Sequence, residues 1–489
     1  MKTLIYITLF TCLLAGCAST GQVEISQTTG MKAPVSAITE LPAEAKAAET
    51  PRLTGGVLLA YYDPTQKGYH IRPVDPANGE AIPARDPIRL SQDKNYLPQY
   101  AYTPDGKLLA ALETRGQSCE AFSGGTSCYP GAEALHLVSL PDWKDITTPL
   151  PGGGWVGTLI FSPGNERLAI LYNRANTSSL LIIDAASGEI VAQQALDFQP
   201  ERVAFAQEGR TLVVYGTPQS DNPGITQPGV PRLVALDAVT LKTLWKREFS
   251  GLANGSWCLE GCDQPHGQQL YAYWAPAVVF APAENQFYIL HADRDLLTRV
   301  DLVDGAVSQL QITKRQSWLE RLLSLTAGVA SAKGGSRGAT KQAFLAAGGK
   351  QLYVLSTATD AVRNQDGYWE PINEYTEAQV IDLASGQIVD RYPAASSWLR
   401  SSPDGRFILV ETWQDTGLDT QLLAAGTLEK VADFQDWEIV WVPGLDGQAA
   451  LLGKRGTNTT TELALFDPQS YQVVSTWTYN GLAEWAAER

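Results

Sequence analysis

From residue 55 onward, short apolar runs alternate with clusters of Gly, Pro, Asn, Asp and Ser. Examples are Leu108-Leu-Ala-Ala-Leu112, Leu168-Ala-Ile-Leu171 and Phe407-Ile-Leu-Val410. Runs this short, bounded by turn formers, predict β-strands. Two strand–turn–strand units recur. One is a strand ending in Asp, a short turn often closed by Gly, and a second strand. It stands as His70-Ile-Arg-Pro-Val-Asp75-Pro-Ala-Asn-Gly79, Leu181-Ile-Ile-Asp184-Ala-Ala-Ser-Gly188, Val300-Asp301-Leu-Val-Asp-Gly305 and Val380-Ile-Asp382-Leu-Ala-Ser-Gly386. Degenerate copies lie at 135–146, 233–244, 421–431 and 463–474. Asp at the head of such a turn accepts backbone N–H groups two residues on, and Gly supplies φ > 0. The second unit places a Pro/Gly turn between two apolar strands: Tyr102-Thr-Pro-Asp-Gly106, Phe161-Ser-Pro-Gly-Asn165 and Ser402-Pro-Asp-Gly405, with weaker copies beginning at Phe205, Phe280, Phe344 and Val442. Self-similarity of this kind predicts a repeat architecture.

The paired turns resemble the YVTN-type and WD-repeat-like β-propeller families, in which Ser-Pro-Asp-Gly joins the two inner strands of a blade and Asp-x-x-Ser/Thr-Gly the two outer ones. The resemblance covers nearly all of 55–489. It implies an all-β fold, a single β-propeller of four-stranded blades. Counting the units gives seven complete blades and an N-terminal partial one, because 56–90 supply three strands without the inner strand. The stretch 481–487 is a candidate for the missing strand. Eight blades, with the ring closed by the N- and C-terminal strands, are therefore favoured. Seven blades with an unclosed N-terminal hairpin is the alternative.

In such a blade the two families of short turns share one face of the disc. The connection from second to third strand, and the crossover to the next blade, share the other. The long insertions, 114–133, 216–231, 251–275, 311–341 and 358–377, all fall on that second face, where binding on a rigid scaffold is expected. Between 311 and 341, Trp318, Leu322, Leu325 and Val329 recur at helical spacing, so a helix is predicted near 315–330. Six basic residues and one acid lie between Lys314 and Lys341. Such a helix either caps the ring or docks on a partner or an anionic membrane. The candidate partner-binding residues are Trp318, Arg321, Leu322, Tyr368, Trp369, Glu370 and Tyr375. Aromatic faces beside carboxylates suit a partner or a sugar, and equally suit packing of the insertion on its neighbours.

The first residues are of another kind. Lys2 precedes an apolar run from Leu4 to Ala15, shorter than the roughly 20 residues that span a bilayer. Leu14-Ala15-Gly16-Cys17 resembles the lipobox of bacterial lipoproteins. The resemblance implies a signal peptide at 1–16, cleavage before Cys17 and lipidation of its thiol. Residues 17–54, rich in Ala, Thr, Ser and Glu, read as the lipidated cysteine and a flexible tether reaching roughly 35 Å. The expected location is the extracytoplasmic envelope, on the outer membrane if the cell has two, since Ala18 and Ser19 rather than Asp follow the cysteine.

Charge and cysteine usage narrow the function. Of 489 residues, 44% are hydrophobic, and the net charge is −15. That excludes the basic footprint of nucleic-acid binding and fits a soluble monomer. Cys119 with Cys128, and Cys258 with Cys262, form two close pairs. Two local disulfides are the simple reading in an oxidising compartment, although four cysteines permit three connectivities. Cys258, Cys262 and His266 have a spacing that a metal could also use on a helix, which Gly261 and Pro265 disfavour. The four histidines, His70, His136, His266 and His291, sit in no catalytic motif, and no haem-attachment or phosphate-cradling motif is visible. No cofactor or metal is expected. The expected function is that of an anchored binding or scaffold protein with an envelope protein partner. In architecture alone it resembles the eight-bladed outer-membrane assembly lipoproteins, whose tryptophan-containing repeat is not evident here. The alternative is a propeller enzyme or glycan-binding protein with its site at the central funnel.

Overall fold

The computed structural model describes residues 56–83, 85–91, 98–122, 125–174, 177–217, 230–260, 269–314, 339–346, 349–363, 369–393, 398–402, 405–414, 417–445, 449–457 and 459–487. The fold is all-β; two single-turn 3₁₀ helices, Gln207–Gly209 and Pro282–Glu284, are the helical elements among the described residues. None of the described helices is long and apolar enough to cross a membrane. The signal peptide, Cys17, the tether and the predicted helix near 315–330 lie outside the described residues.

The strands form antiparallel four-stranded meanders in chain order. Arg167–Arg174, for example, pairs with Trp155–Phe161 on one side and Thr177–Asp184 on the other, and Ile190–Leu196 is the outer strand. Comparable sheets are built at 100–149, 199–248, 277–311, 339–393, 398–435 and 438–479. At the N-terminal end, Val57–Asp63, Gly68–Val74 and Ile88–Ser91 are joined by Ala483–Trp485, which pairs antiparallel with Leu59–Tyr61. One parallel pairing, Ser91 with Thr114, links this sheet to the next.

The turn chemistry expected from the sequence is present atom by atom. In the inner turns the hydroxyl of Thr103 accepts from the Leu108 amide at 3.0 Å, that of Ser162 from Arg167 at 3.1 Å and that of Ser402 from Phe407 at 3.0 Å. In the outer turns the Asp184 carboxylate accepts from the Ser187 amide at 2.8 Å, and Asp237, Asp382 and Asp467 accept from the residue three places on. Gly79, Gly188, Gly305 and Gly386 close these turns with φ between 70° and 75°, and Trp143, Leu241, Leu428 and Tyr471 adopt positive φ in the degenerate copies.

Sheets pack face to face through apolar clusters. Each cluster draws on two neighbours in the chain, as with Leu135, Leu137, Leu168 and Ile170, or Val213, Tyr215, Phe287 and Val300. The remaining clusters pair 155–196 with 199–248, 277–311 with 339–393, 339–393 with 398–435, and 398–435 with 438–479. Two more involve the N-terminal sheet. Leu58 and Leu90 pack with Leu109 and Val138, and Val57 and Leu59 pack with Val442, Leu452, Leu463 and Trp485. Outer-turn glycines fit against the preceding outer strand. A Cβ on Gly188 would stand 2.7 Å from the Thr148 hydroxyl, and one on Gly305 2.9 Å from Trp245. Gly79 makes the same approach to Trp477, at 2.5 Å.

Candidate functional site

Antiparallel alternation puts the short turns of each meander on one side and the second-to-third-strand connections on the other. Two of the predicted insertions are strands. Leu108–Phe122 and Gly125–Ser139 run on as a two-stranded ribbon, with Cys119 directly opposite Cys128. These two cysteines form a disulfide, as expected. The ribbon begins at the Arg115–Glu133 ion pair, 3.0 Å. Similarly, Gln351–Arg363 and Trp369–Asp382 extend well past their sheet, with Arg363 opposite Trp369, Val362 opposite Glu370 and Thr357 opposite Tyr375.

The 251–275 insertion joins this second ribbon. Gly255–Glu260 pairs with Gln269–Ala275 in a hairpin, and Gln269–Ala272 pairs antiparallel with Asp360–Arg363. Two stretches more than eighty residues apart in the sequence thus make one sheet. Trp369, Glu370 and Tyr375 lie on its outer strand. Cys258 stands opposite Tyr271 in the hairpin, while Cys262 and His266 lie outside the described residues. So do Trp318, Arg321, Leu322 and Tyr368, and most of the 216–231 insertion.

A buried ionic triad lies beneath the disulfide-bearing ribbon. His136 Nδ1 is 2.8 Å from Asp145 Oδ2, and its Nε2 is 3.4 Å from Glu113 Oε2. Burial works against the imidazolium charge, but hydrogen bonding to Asp145 and Glu113 outweighs it and lifts the pKa to about 9. His291 is different: burial lowers its pKa, and its Nε2 meets the Thr298 hydroxyl at 2.9 Å. Both are structural partners within their sheets.

A third cluster was not anticipated. It lies on the first strands of the last meanders and on the C-terminal strand. Arg400 is on Trp398–Ser401, Glu438 on Glu438–Pro443 and Glu484 on Ala483–Trp485; Glu411 and Lys454 come from the strands beside the first two. Arg400 pairs with Glu411 and donates from Nη2 to the Ile439 carbonyl at 2.9 Å. Its Nε has no hydrogen-bond partner among the described residues. Lys454 pairs with Glu438 at 3.0 Å. Glu484 is 4% exposed. Burial pushes the Glu411 carboxyl up, against the pull of Arg400. Arg400, Glu438, Val440, Lys454, Glu484, Trp485 and Ala487 line a small cleft of about 20 Å³, room for about one water molecule. On another inner strand Glu201 is exposed, and its carboxylate accepts from the Thr217 hydroxyl at 3.2 Å.

The repeat itself contains the signal for this cluster. Counting from the inner turns, Arg400 stands where the earlier sheets have Ala101 and Ile160, and Glu411 where they have Leu112 and Leu171. Counting from the outer turn, Lys454 takes the same place as Leu171. Charges at three positions that are apolar elsewhere were visible without coordinates. Among the described residues no group of three or more His, Cys, Asp or Glu is disposed to hold a metal.

No family model and no curated protein matches the sequence. Among solved structures, the chain is similar to the dihydro-heme d1 dehydrogenase NirN in complex with DHE, at 14% identity, 91% coverage of this chain, 78% of that one, and a TM-score of 0.51. AztD from Citrobacter koseri is a more distant match, at 10% identity, 89% and 98% coverage, and a TM-score of 0.47. The likeness to NirN shows the fold, that of a β-propeller protein, and does not carry that protein's activity to this chain.

Proposed function

We propose that this chain is a lipid-anchored binding or scaffold propeller of the cell envelope, contacting a protein partner through the face that carries the insertions. The observation that carries the reading is the shared sheet of the 251–275 and 358–377 insertions. Ordering a long insertion costs conformational entropy residue by residue. Insertions already ordered into a common sheet, with a neighbouring ribbon clamped by the Cys119–Cys128 disulfide, have met that cost before any partner arrives.

The scaffold we propose has eight blades, with Ala483–Trp485 as the inner strand of the first. Two observations support this. The apolar clusters pass from each sheet to the next and return from 438–479 to 57–91. The contact of Gly79 with Trp477 also repeats that of Gly305 with Trp245. The anchor is proposed on Cys17. Metabolic labelling with a fatty acid, compared with Cys17→Ser, tests it: label on both proteins, or on neither, overturns it.

The partner face is tested by crosslinking in native membranes followed by mass spectrometry. Wild type is compared with a variant whose 311–341 and 358–377 insertions are replaced by short Gly/Ser turns. A protein crosslinked to those segments and lost in the variant is the expected result. Identical crosslinks in both refute the face.

A further inference from the structure

We infer that the groove between the outer strand Lys430–Gln435 and the outer turn of the following sheet is a docking site for an extended peptide segment of a partner protein, one that carries an aliphatic residue beside a basic one. The walls of the groove involve none of the long insertions, so this site and the partner face can fail separately.

The groove exists because one outer turn departs from the repeat. Gly188, Gly305 and Gly386 lie close against the outer strand of the sheet before, with no room for a Cβ. Tyr471 stands at the corresponding place after Asp467, with φ of 57°. Its ring meets Phe407 of the preceding sheet edge-on at 5.5 Å. Two other degenerate turns fill their junctions with Leu241 and Leu428, 3% and 6% exposed. Between Val431–Gln435 and Ser470–Val473 the junction instead keeps a groove of about 310 Å³. That is within the usual size of a ligand pocket, roughly 300–1,000 Å³.

The same molecule shows what fits such a place. In the sheet at 339–393 a short extra strand, Thr313–Lys314, runs parallel to the outer strand, with Thr313 opposite Gln387 and Lys314 opposite Ile388. The Thr313 N–H donates to the Gly386 carbonyl at 2.9 Å, and Ile312 before it is buried. Counted from the turn Asp, Gln472 and Val473 are the counterparts of Gln387 and Ile388, and both line the groove. Among the described residues no strand takes the corresponding place, because the chain bends away at Asp436, φ 63°, and goes on to Glu438–Pro443. Lys430–Gln435 and Val473–Tyr479 each stand last in their sheets, so both walls are strand edges, to which an extended segment can add. The side chains set its chemistry. Val431 and Val473, 40% and 49% exposed, flank the buried Phe434 and Phe466 and offer contact to an aliphatic side chain. Lys430 pairs with Asp433 at 3.0 Å, and Asp419 and Asp436 stand beside that pair, so carboxylates outnumber cations and a basic residue is favoured over an acidic one.

The test uses the purified full chain and isothermal titration with the hexapeptide Leu-Gln-Ile-Thr-Lys-Arg, the sequence of residues 310–315. Two companion peptides are Leu-Gln-Ile-Pro-Lys-Arg, which lacks the N–H of the pairing residue, and the charge-reversed Leu-Gln-Ile-Thr-Glu-Glu. Saturable binding of the first is expected, with each companion at least about tenfold weaker. Val473→Ser should weaken binding about fivefold, and Tyr471→Gly, which restores the residue of the repeat and lets the turn close on the strand, should abolish it. Val473 is half exposed, so its variant stands even if Tyr471→Gly fails to fold. Absence of saturable binding up to about 5 mM peptide overturns the proposal. So does equal binding of either companion, or unchanged affinity in Val473→Ser or in a folded Tyr471→Gly.

Discussion

Trp485→Ala tests how firmly the last strand belongs to the fold. Trp485 is 4% exposed, packs with Val57, Leu59, Val440 and Leu452, and meets Trp477 edge-on at 6.0 Å. Its Nε1–H donates to the Gly453 carbonyl. Truncating a buried aromatic to alanine costs about 3–5 kcal/mol, and losing a buried hydrogen bond adds about 1 kcal/mol. The expected loss is therefore roughly 4–6 kcal/mol, a large part of a typical stability of about 5–15 kcal/mol. The assay is urea unfolding followed by far-UV circular dichroism, each curve being normalised to its own folded and unfolded baselines because the Trp477–Trp485 pair itself contributes to the signal. Val191→Ala, at a side chain 52% exposed, is the control and should change stability by no more than about 0.5 kcal/mol. A variant ending at residue 480 should lose at least as much stability. It should also aggregate with rising concentration, because Val57–Asp63 then presents an open apolar edge. If Trp485→Ala matches Val191→Ala, the strand is not packed against Leu59 and Val442, and ring closure through it is refuted.

His136 titrates at about 9 in the folded chain against about 6.5 when unfolded, so its contribution is fully present below pH 6.5 and is lost as pH rises through 9. It amounts to at most about 3 kcal/mol. Unfolding midpoints at pH 6 and pH 10 should converge between wild type and His136→Gln at the higher pH, and parallel curves would count against the triad. Asp184, Asp237, Asp382 and Asp467 have pKa values lowered by the Ser or Thr three residues on. Their support is present above the unfolded value near 4 and disappears as pH falls through the folded ones, so replacing all four by Asn should flatten the acid limb of the stability curve. Gly386→Ala combines φ of 70° with a Cβ only 2.6 Å from the Gln311 carbonyl oxygen, and should cost roughly 1–3 kcal/mol in the same urea assay. Gly152→Ala, with open space around its Cβ, should be neutral.

The strands and turns were legible because each copy of the repeat carries its own turn chemistry. Asp184 and Ser162 need only neighbours within five residues to form their hydrogen bonds, so local sequence suffices. The degenerate copies were harder. Leu241, Leu428 and Tyr471 occupy the position where glycine is expected, and the surrounding ladder imposes the positive φ that their side chains resist. The strands inside the insertions are not signalled locally, because the ribbon at 351–382 alternates polar and small residues, as in Thr357-Ala-Thr-Asp-Ala361, and lacks an apolar stripe. Their pairing with 269–272 is a long-range register that no local pattern encodes. The charged cluster was missed for another reason. Arg400 and Glu411 are unremarkable in isolation and become informative only when the sheets are superposed turn by turn.

That superposition also yields the substitutions that test whether the Arg400–Glu411 pair is needed for folding. Ile160 and Leu171 are what the repeat places where Arg400 and Glu411 stand. Arg400→Ile alone leaves the Glu411 carboxyl, 8% exposed, without its guanidinium. Breaking a fully buried pair costs about 3–5 kcal/mol, and water reaching the half-open cleft reduces this to roughly 2 kcal/mol. Arg400→Ile with Glu411→Leu removes both charges and restores the residues that pack in the sheet at 155–196. Buried ion pairs replaced by apolar residues of similar size are often neutral or stabilising by about 1–4 kcal/mol. The double variant should therefore recover most of the single variant's loss, measured as the coupling in a double-mutant cycle. Recovery would mean that the pair is not needed for folding. A double variant as unstable as the single one would make the pair a structural element of the inner strands.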